Sequence, residues 1–244
     1  MKNSYYGGRQ LIKNRALGYT IENGDIANAS FIDMSWPHAA GSLLSTVEDL
    51  NIWFRALKDG KVMSKESYSQ MVEPFTFNNG STSDYGYGLG MYKVNKFDAI
   101  GHGGGIPGFG TNAFYLPEED IFVAVFNNTD RGNPRNLALR LAAVALDIEL
   151  PEFKRVNVDQ SKLKKLMGSY KLESGSVRTL SMENGEVYSQ RDEGRKWKIN
   201  SMSENSFYFE GSLSYFVIEK SDSGKMVMNF YSDLADKPEP AVKQ

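Results

Sequence analysis

The run Gly101-His102-Gly103-Gly104-Gly105-Ile106-Pro107-Gly108-Phe109 holds the residues best placed to do chemistry. Glycine at four of its first five positions suits a backbone that approaches another group closely or adopts dihedrals closed to side chains. A histidine at the head of such a run sets a titratable ring beside uncovered amide N–H groups. Together these are the raw material of an anion or oxyanion site. A glycine-rich hairpin carrying a solvent-exposed histidine is the plainer alternative, and the motif by itself does not separate the two.

Other groups point less far. Ser161-Lys162-Leu163-Lys164 has Ser-x-x-Lys spacing, which on a helix puts an amine one turn from a hydroxyl. A catalytic Lys164 would have to be desolvated, whereas Lys162 and Lys165 imply solvent, and Ser161 reads better as a helix N-cap. Ser203-Glu204-Asn205 reads as a turn. His38, after Trp36-Pro37, is the other histidine and is expected in a loop or core near the cleft. Two distant histidines with no carboxylate at ligand spacing are weak grounds for a metal, and no cofactor is expected. Glu118, Glu119 and Asp120 read as a solvated turn, since a paired-carboxylate mechanism needs one acid in an apolar setting. Tyr85, Tyr87 and Tyr92 could line a groove, though packing on a sheet is the commoner use.

The elements that would position these groups follow from periodicity. Residues 1 to about 40 read as loop with short strands, as at Leu17–Ile21. Ser45 offers a capping box with Glu48, and Val47, Leu50, Phe54 and Leu57 recur at helical spacing, giving a helix over 46–58. A second, short helix is expected over 64–72. Strands are expected over 85–94, 97–102, 111–116 and 121–127, with a tight turn at 117–120. Asn133 and Pro134 open a helix running to about 149, with Leu137, Leu141, Val144 and Ile148 lining the face toward the sheet.

Composition shifts after Pro151. Residues 152–160 are charged and read as a linker, followed by a short helix over 161–167. Seven strands then recur over 169–172, 177–182, 186–190, 196–200, 206–210, 215–219 and 226–231, with hairpin turns at Asn184-Gly185 and Ser223-Gly224. This pattern argues for an antiparallel barrel or sandwich. Tyr188, Trp197, Phe207, Tyr208, Phe209, Tyr215 and Phe216 would either fill it or line a ligand cavity, and a small domain favours filling. The tail Lys237-Pro238-Glu239-Pro240 is expected to fray.

The 244 residues are 41% hydrophobic and 24% charged, with a formal net charge of -2. That balance gives no global field toward nucleic acid or an anionic membrane. No cysteine is present, so disulfides, thiol nucleophiles and Cys-ligated zinc are excluded. No apolar run is long enough to span a membrane, and Met1-Lys2-Asn3-Ser4-Tyr5 leads into no signal-peptide core.

Taken with Ala39–Leu50 and Asn112–Asn128, the glycine run resembles the C-terminal half of the serine β-lactamase and penicillin-binding-protein superfamily. The similar branch includes class C β-lactamases, D-alanyl-D-alanine carboxypeptidases and esterases, whose third motif is often His-x-Gly, matched by His102-Gly103-Gly104. The resemblance implies an α+β fold: part of an antiparallel sheet flanked by helices over 1–150, a linker over 151–160, and a small all-β, lipocalin-like barrel over 161–244. It implies that His102, on an edge strand, helps bind substrate and tune proton transfer, that Gly104 completes the motif, and that the Gly105 amide is one oxyanion donor. The family's Ser-x-x-Lys and Tyr-x-Asn do not appear before His102. The chain is therefore expected to be a truncated member, inactive alone, with Met1 an internal methionine used as a start. A peptide, β-lactam or ester substrate is implied for the complete protein, with a periplasmic or secreted location. A homodimer is expected through the sheet edge left bare. The alternative is a non-catalytic module that binds a ligand or partner through its barrel.

Overall fold

The computed structural model describes residues 1–244. They form two compact units, residues 1–93 with 97–147, and 94–96 with 148–244. No helix is long and apolar enough to cross a membrane.

The first unit is built on a four-stranded sheet in the order β5 (Gly90–Val94), β6 (Phe97–Ile106), β7 (Phe109–Leu116), β8 (Ile121–Asn127). The pairs β6/β7 and β7/β8 are antiparallel. Successive side chains leave a strand on opposite faces, and the sheet carries a helix on each. Tyr115 faces α1 (Val47–Lys58), whose Phe54 ring lies 5.4 Å from Phe122. Phe114, next along β7, faces the other way. There the Tyr92 ring meets it at 5.7 Å, and Arg135 of α3 (Pro134–Ala145) stands 5.0 Å over Tyr92. Two small ladders complete the unit: β1 (Tyr5–Tyr6) with β4 (Leu43–Leu44), and the hairpin β2 (Tyr19–Glu22) with β3 (Asp25–Asn28). A short α2 (Lys65–Met71) follows α1.

Several boundaries differ from the sequence reading. The cap of α1 is Thr46, whose hydroxyl accepts from the Asp49 amide at 3.3 Å; Ser45 instead bonds Ser4 at 2.8 Å. Asp49 is buried and ties down the chain start, accepting from the amides of Lys2 and Asn3 and from the Ser4 hydroxyl. Residues 85–89 form a turn in place of a strand, with Gly88 at φ 76° and a bridge joining Tyr85 to Gly90. The glycine run belongs to β6 itself. Pro107 and Gly108, the latter at φ 77°, make the two-residue turn into β7, and this pairing of residue types suits a type II turn.

On α3 the buried face is Ala138, Leu139, Ala142 and Ala143. The expected stripe points outward, with Leu137 46%, Leu141 47% and Val144 74% exposed. Alanines let the helix backbone lie close to the sheet, and this gain in close packing decides which stripe faces inward.

The second unit is a closed antiparallel barrel of β9 (Gly168–Leu172), β10 (Val177–Glu183), β11 (Glu186–Arg191), β12 (Trp197–Ser201), β13 (Ser206–Tyr208), β14 (Tyr215–Lys220), β15 (Met226–Tyr231) and β16 (Glu239–Lys243). The expected α+β class and all-β barrel are present. Asn184 and Gly185, at φ 51° and 80°, make the β10–β11 turn. The helix α4 (Gln160–Leu166) plugs one end through Leu163 and Leu166, and Tyr170 donates to the Leu166 carbonyl at 2.6 Å. Its N-cap is Asp159, not Ser161.

The expectation of a frayed tail fails. Glu239–Lys243 pairs with β15 on one side and β9 on the other, and so closes the barrel. Proline at 240 lowers strand propensity, but removal of two free edges outweighs it. Of the aromatics, Phe207 and Phe216 are fully buried fillers. Tyr208 stacks on Phe153 and Tyr215 on Tyr231, while Trp197 is half exposed under Arg195.

Candidate functional site

The hairpin register decides what the glycine run offers. Antiparallel ladders alternate hydrogen-bonded and non-bonded pairs. Ile106 and Phe109 close the two-residue turn, and Gly104–Thr111 and His102–Ala113 follow at every second rung. Gly103 and Gly105 fall between these rungs, so their N–H and C=O groups point away from β7. On that side β5 reaches no further than Gly90, where an added Cβ would stand 3.4 Å from the Gly101 carbonyl. Beyond Gly101, β6 has an open edge, and His102, Gly103, Gly104 and Gly105 are all exposed. A Cβ at Gly105 would meet nothing within 4 Å.

His102 is fixed at the head of this edge. Its Nε2 lies 2.8 Å from the Tyr85 hydroxyl, and the two rings meet edge to face at 5.7 Å. Its Nδ1 bonds the Gly103 carbonyl. A carbonyl only accepts, so Nδ1 carries the proton; in the neutral ring Nε2 must then accept from Tyr85. The result is a directed chain from Tyr85 hydroxyl through imidazole to the Gly103 carbonyl. An incoming group that bonds Nε2 has to displace or share Tyr85.

Asn112 lies beneath the run. It is buried, its Oδ1 has no partner, and its Nδ2 would stand 3.1 Å from a Cβ at Gly103. A side chain at Gly103 would crowd this amide. Sequence reasoning missed this residue, although a carboxamide within the strand Thr111–Leu116 was a visible signal. It also left Tyr85 as one of three groove candidates. Of the other two, Tyr87 is 75% exposed, and Tyr92 is packed into the sheet, where burial pushes its hydroxyl well above the usual tyrosine range.

The remaining candidates lie apart from this site. His38 is exposed in a single 3-10 turn at φ 45°, and nothing bonds it to His102. Ser161 and Lys164 are exposed on α4, and Ser203 sits in a hydrogen-bonded loop with Asn205. No three His, Asp or Glu side chains gather as a metal site would require.

The acidic residues lie in a turn as expected, and Asp120 is exposed there. It is nevertheless engaged by three side chains. The buried Tyr115 hydroxyl donates to it, Arg55 grips it at 2.8 and 3.0 Å, and Lys58 reaches it at 3.3 Å. The Tyr115 hydrogen bond and then the Arg55 one hold its carboxyl well below the usual range. Lys58 in turn lies 2.6 Å from the Tyr115 hydroxyl, which raises the lysine. This cluster joins the end of α1 to the β7–β8 turn.

Residues 1–147 match the family described as Beta-lactamase. A penicillin-binding protein from Bacillus subtilis (strain 168) is 25% identical over 177 residues, 69% of this chain and 39% of that protein. A D-aminopeptidase from Brucella anthropi is 25% identical over 129 residues, 52% of this chain and 24% of that protein. The chain thus spans less than half the length of either. Among solved structures, the octameric penicillin-binding protein homologue from Pyrococcus abyssi is similar in fold over 100% of this chain and 57% of its own, with a TM-score of 0.56 and 23% identity.

Proposed function

The chain belongs to the β-lactamase family, a family of serine hydrolases that includes penicillin-binding proteins, and on that premise we propose that residues 1–150 supply one wall of an acyl-transfer pocket. The observation that supports this is the open edge of β6, where the Gly105 amide faces outward beside a histidine of fixed tautomer. In this reading a serine hydroxyl attacks the carbonyl of an amide or ester. The carbonyl oxygen takes the negative charge and is held by the Gly105 N–H, while Gly104 keeps the strand free of side chains. Collapse of the adduct expels the amine or alcohol, and water then releases the acid from the serine. His102 binds substrate and tunes the proton transfers through Nε2. One such oxyanion donor is worth roughly 3–4 kcal/mol to the transition state.

The serine comes from outside these 244 residues in this proposal. Two facts support it: no Ser-x-x-Lys precedes His102, and Ser161 and Lys164 are exposed and belong to the second unit. Residues 161–244 are an accessory barrel behind the segment 151–160. The substrate is a peptide, a β-lactam or a small ester. Incubating the purified chain with nitrocefin and with a fluorescent fluorophosphonate tests the assignment. We expect neither turnover nor label, and a burst or a covalent adduct would refute the missing nucleophile. In any longer product of the gene that turns over substrate, Gly105→Pro should cut kcat about 100- to 1000-fold. An unchanged kcat there would remove the Gly105 amide from the reaction.

The same sheet supports association of two copies. The strand β8 is the far edge of the sheet, and Leu137 and Leu141 of α3 stand half exposed. Unpaired edges and apolar patches recruit partners.

A further inference from the structure

The barrel contains one buried ionised side chain that has no ion-pair partner of its own. Its interior is mostly apolar, filled by residues such as Leu180, Phe207, Phe216 and Ile218. Arg178 enters that interior from β10 and is only 8% exposed. Its Nη1 donates to Ser189 Oγ at 3.3 Å, and its guanidinium carbon stands 4.2 Å from the centre of the Phe230 ring. It forms no ion pair. The two acids that act on it electrostatically are engaged elsewhere. Glu239 takes both terminal nitrogens of Arg191, at 3.3 and 3.4 Å, and Asp192 accepts the Val177 amide at 2.8 Å.

Its position is as informative as its burial. The turn at Asn184-Gly185 lies near α4, since a Cβ at Gly185 would meet Gln160 at 3.1 Å. Arg178 is at the opposite end of β10, paired with Arg191 across the ladder. It therefore stands at the mouth away from the α4 plug. Phe209 and Phe230 meet edge to face at 6.0 Å at this end, and both are partly buried.

A guanidinium keeps its charge at any physiological pH, and a buried ion without a counterion is strongly disfavoured. Burial, and then the nearby Arg191, lower the Arg178 pKa, as expected for a cation short of negative charge. A group that pairs directly with the guanidinium and offsets this cost is an anion. The planar fork of donors matches a carboxylate two-for-two. Phosphate matches the fork too, but Glu239 and Asp192 oppose a second negative charge. Phe230, beside the guanidinium, and Phe209, against Phe230, offer apolar contact, and Phe207 and Phe216 fill the barrel with no exposed surface.

The geometry points to a carboxylate site at this mouth: Arg178 receives the carboxylate of a small apolar acid whose hydrocarbon part rests on Phe230 and Phe209. This site is separate from the acyl-transfer reading and does not depend on it.

Thermal shift and calorimetric titration of the full chain test it, using benzoate and hexanoate as probes and benzamide, hexanol and inorganic phosphate as controls. Both acids should raise Tm and bind; the neutral compounds and phosphate should not. Arg178→Met should abolish the response while Tm without ligand stays equal or rises. Arg178→Lys, which keeps charge but loses the fork, should weaken benzoate about tenfold or more. Wild-type protein indifferent to both acids, phosphate binding as tightly as benzoate, or Arg178→Met responding like wild type would each overturn the site. Should Arg178→Met fail to fold, unchanged benzoate affinity in Arg178→Lys overturns it equally.

Discussion

The Tyr85 hydroxyl and His102 Nε2 lie 2.8 Å apart, and because the Gly103 carbonyl holds the ring proton on Nδ1, the hydroxyl donates to Nε2 of the neutral ring. Tyr85 reaches the ring from a turn, whereas His102 is held in a strand. In Tyr85→Phe the Nδ1 bond to Gly103 remains but Nε2 loses its donor. The nitrogen chemical shifts of His102, measured where the ring is neutral, should report a dominant Nδ1–H form in both proteins, with the Nε2 signal moved in the variant by loss of its donor. Identical Nε2 shifts would mean that Tyr85 does not bond the ring.

The glycine run divides into a packing half and an open half. A Cβ at Gly101 would fall 2.3 Å from the Ala113 carbonyl oxygen, whereas one at Gly105 meets nothing within 4 Å. Gly101→Ala should cost about 1–3 kcal/mol or more by overpacking. Gly105→Ala should stay within about 0.5 kcal/mol. Urea denaturation of the two variants checks the contrast, and equal losses would contradict the register described for β6.

Asp120 makes a signed prediction about acid. Its folded carboxyl is held below its ordinary value, first by the Tyr115 hydroxyl and then by Arg55. The stability it contributes is complete above the unfolded aspartate pKa of about 3.9 and is lost as pH falls toward the folded value. Asp120→Asn should lower Tm at neutral pH and flatten the decline of Tm below about pH 4. A variant whose Tm-against-pH curve parallels the wild type would show that the cluster adds nothing.

Much of this architecture was legible from periodicity and turn chemistry. Asn184-Gly185 fixed a hairpin, the apolar run Ile121–Phe126 gave a strand, and seven barrel strands stood where expected. What escaped the reading depended on partners distant in sequence. β16 is a strand only because β15 and β9 lie on either side of it, and no local signal in Glu239-Pro240-Ala241 says so. The inward face of α3 was misread because backbone proximity outweighed side-chain size. The His102 motif was visible at once, but its link to Tyr85 and the buried Asn112 required the fold.

The closing strand offers a direct check. Ala241 is 2% exposed and faces Met228 and Leu172 across its two ladders. Ala241→Asp buries an unpaired charge and should destabilise the second unit by several kcal/mol. Hydrogen exchange should show lost protection at Lys171 and Val227, the register partners of the adjacent Val242, while the β6–β7 amides keep theirs. Retained protection at Lys171 would argue against closure.

Association is the remaining test. If two copies share the β8 edge, light scattering should give a mass above that of one chain, and Phe126→Lys, at an exposed position of β8, should return it to the monomer. A wild-type protein that scatters as a single chain would end that proposal.

Leu172 pairs with Ala241, so the ring is sealed by contacts between its first and last strands. During synthesis β9 must wait, one flank bare, until every other stave of the barrel has been made. Such late, long-range sealing is slow compared with hairpin formation. The nascent second unit is thus exposed to wrong pairings for longer than the first, whose sheet grows by adjacent hairpins, and a chaperone that shields a lone strand would act here first.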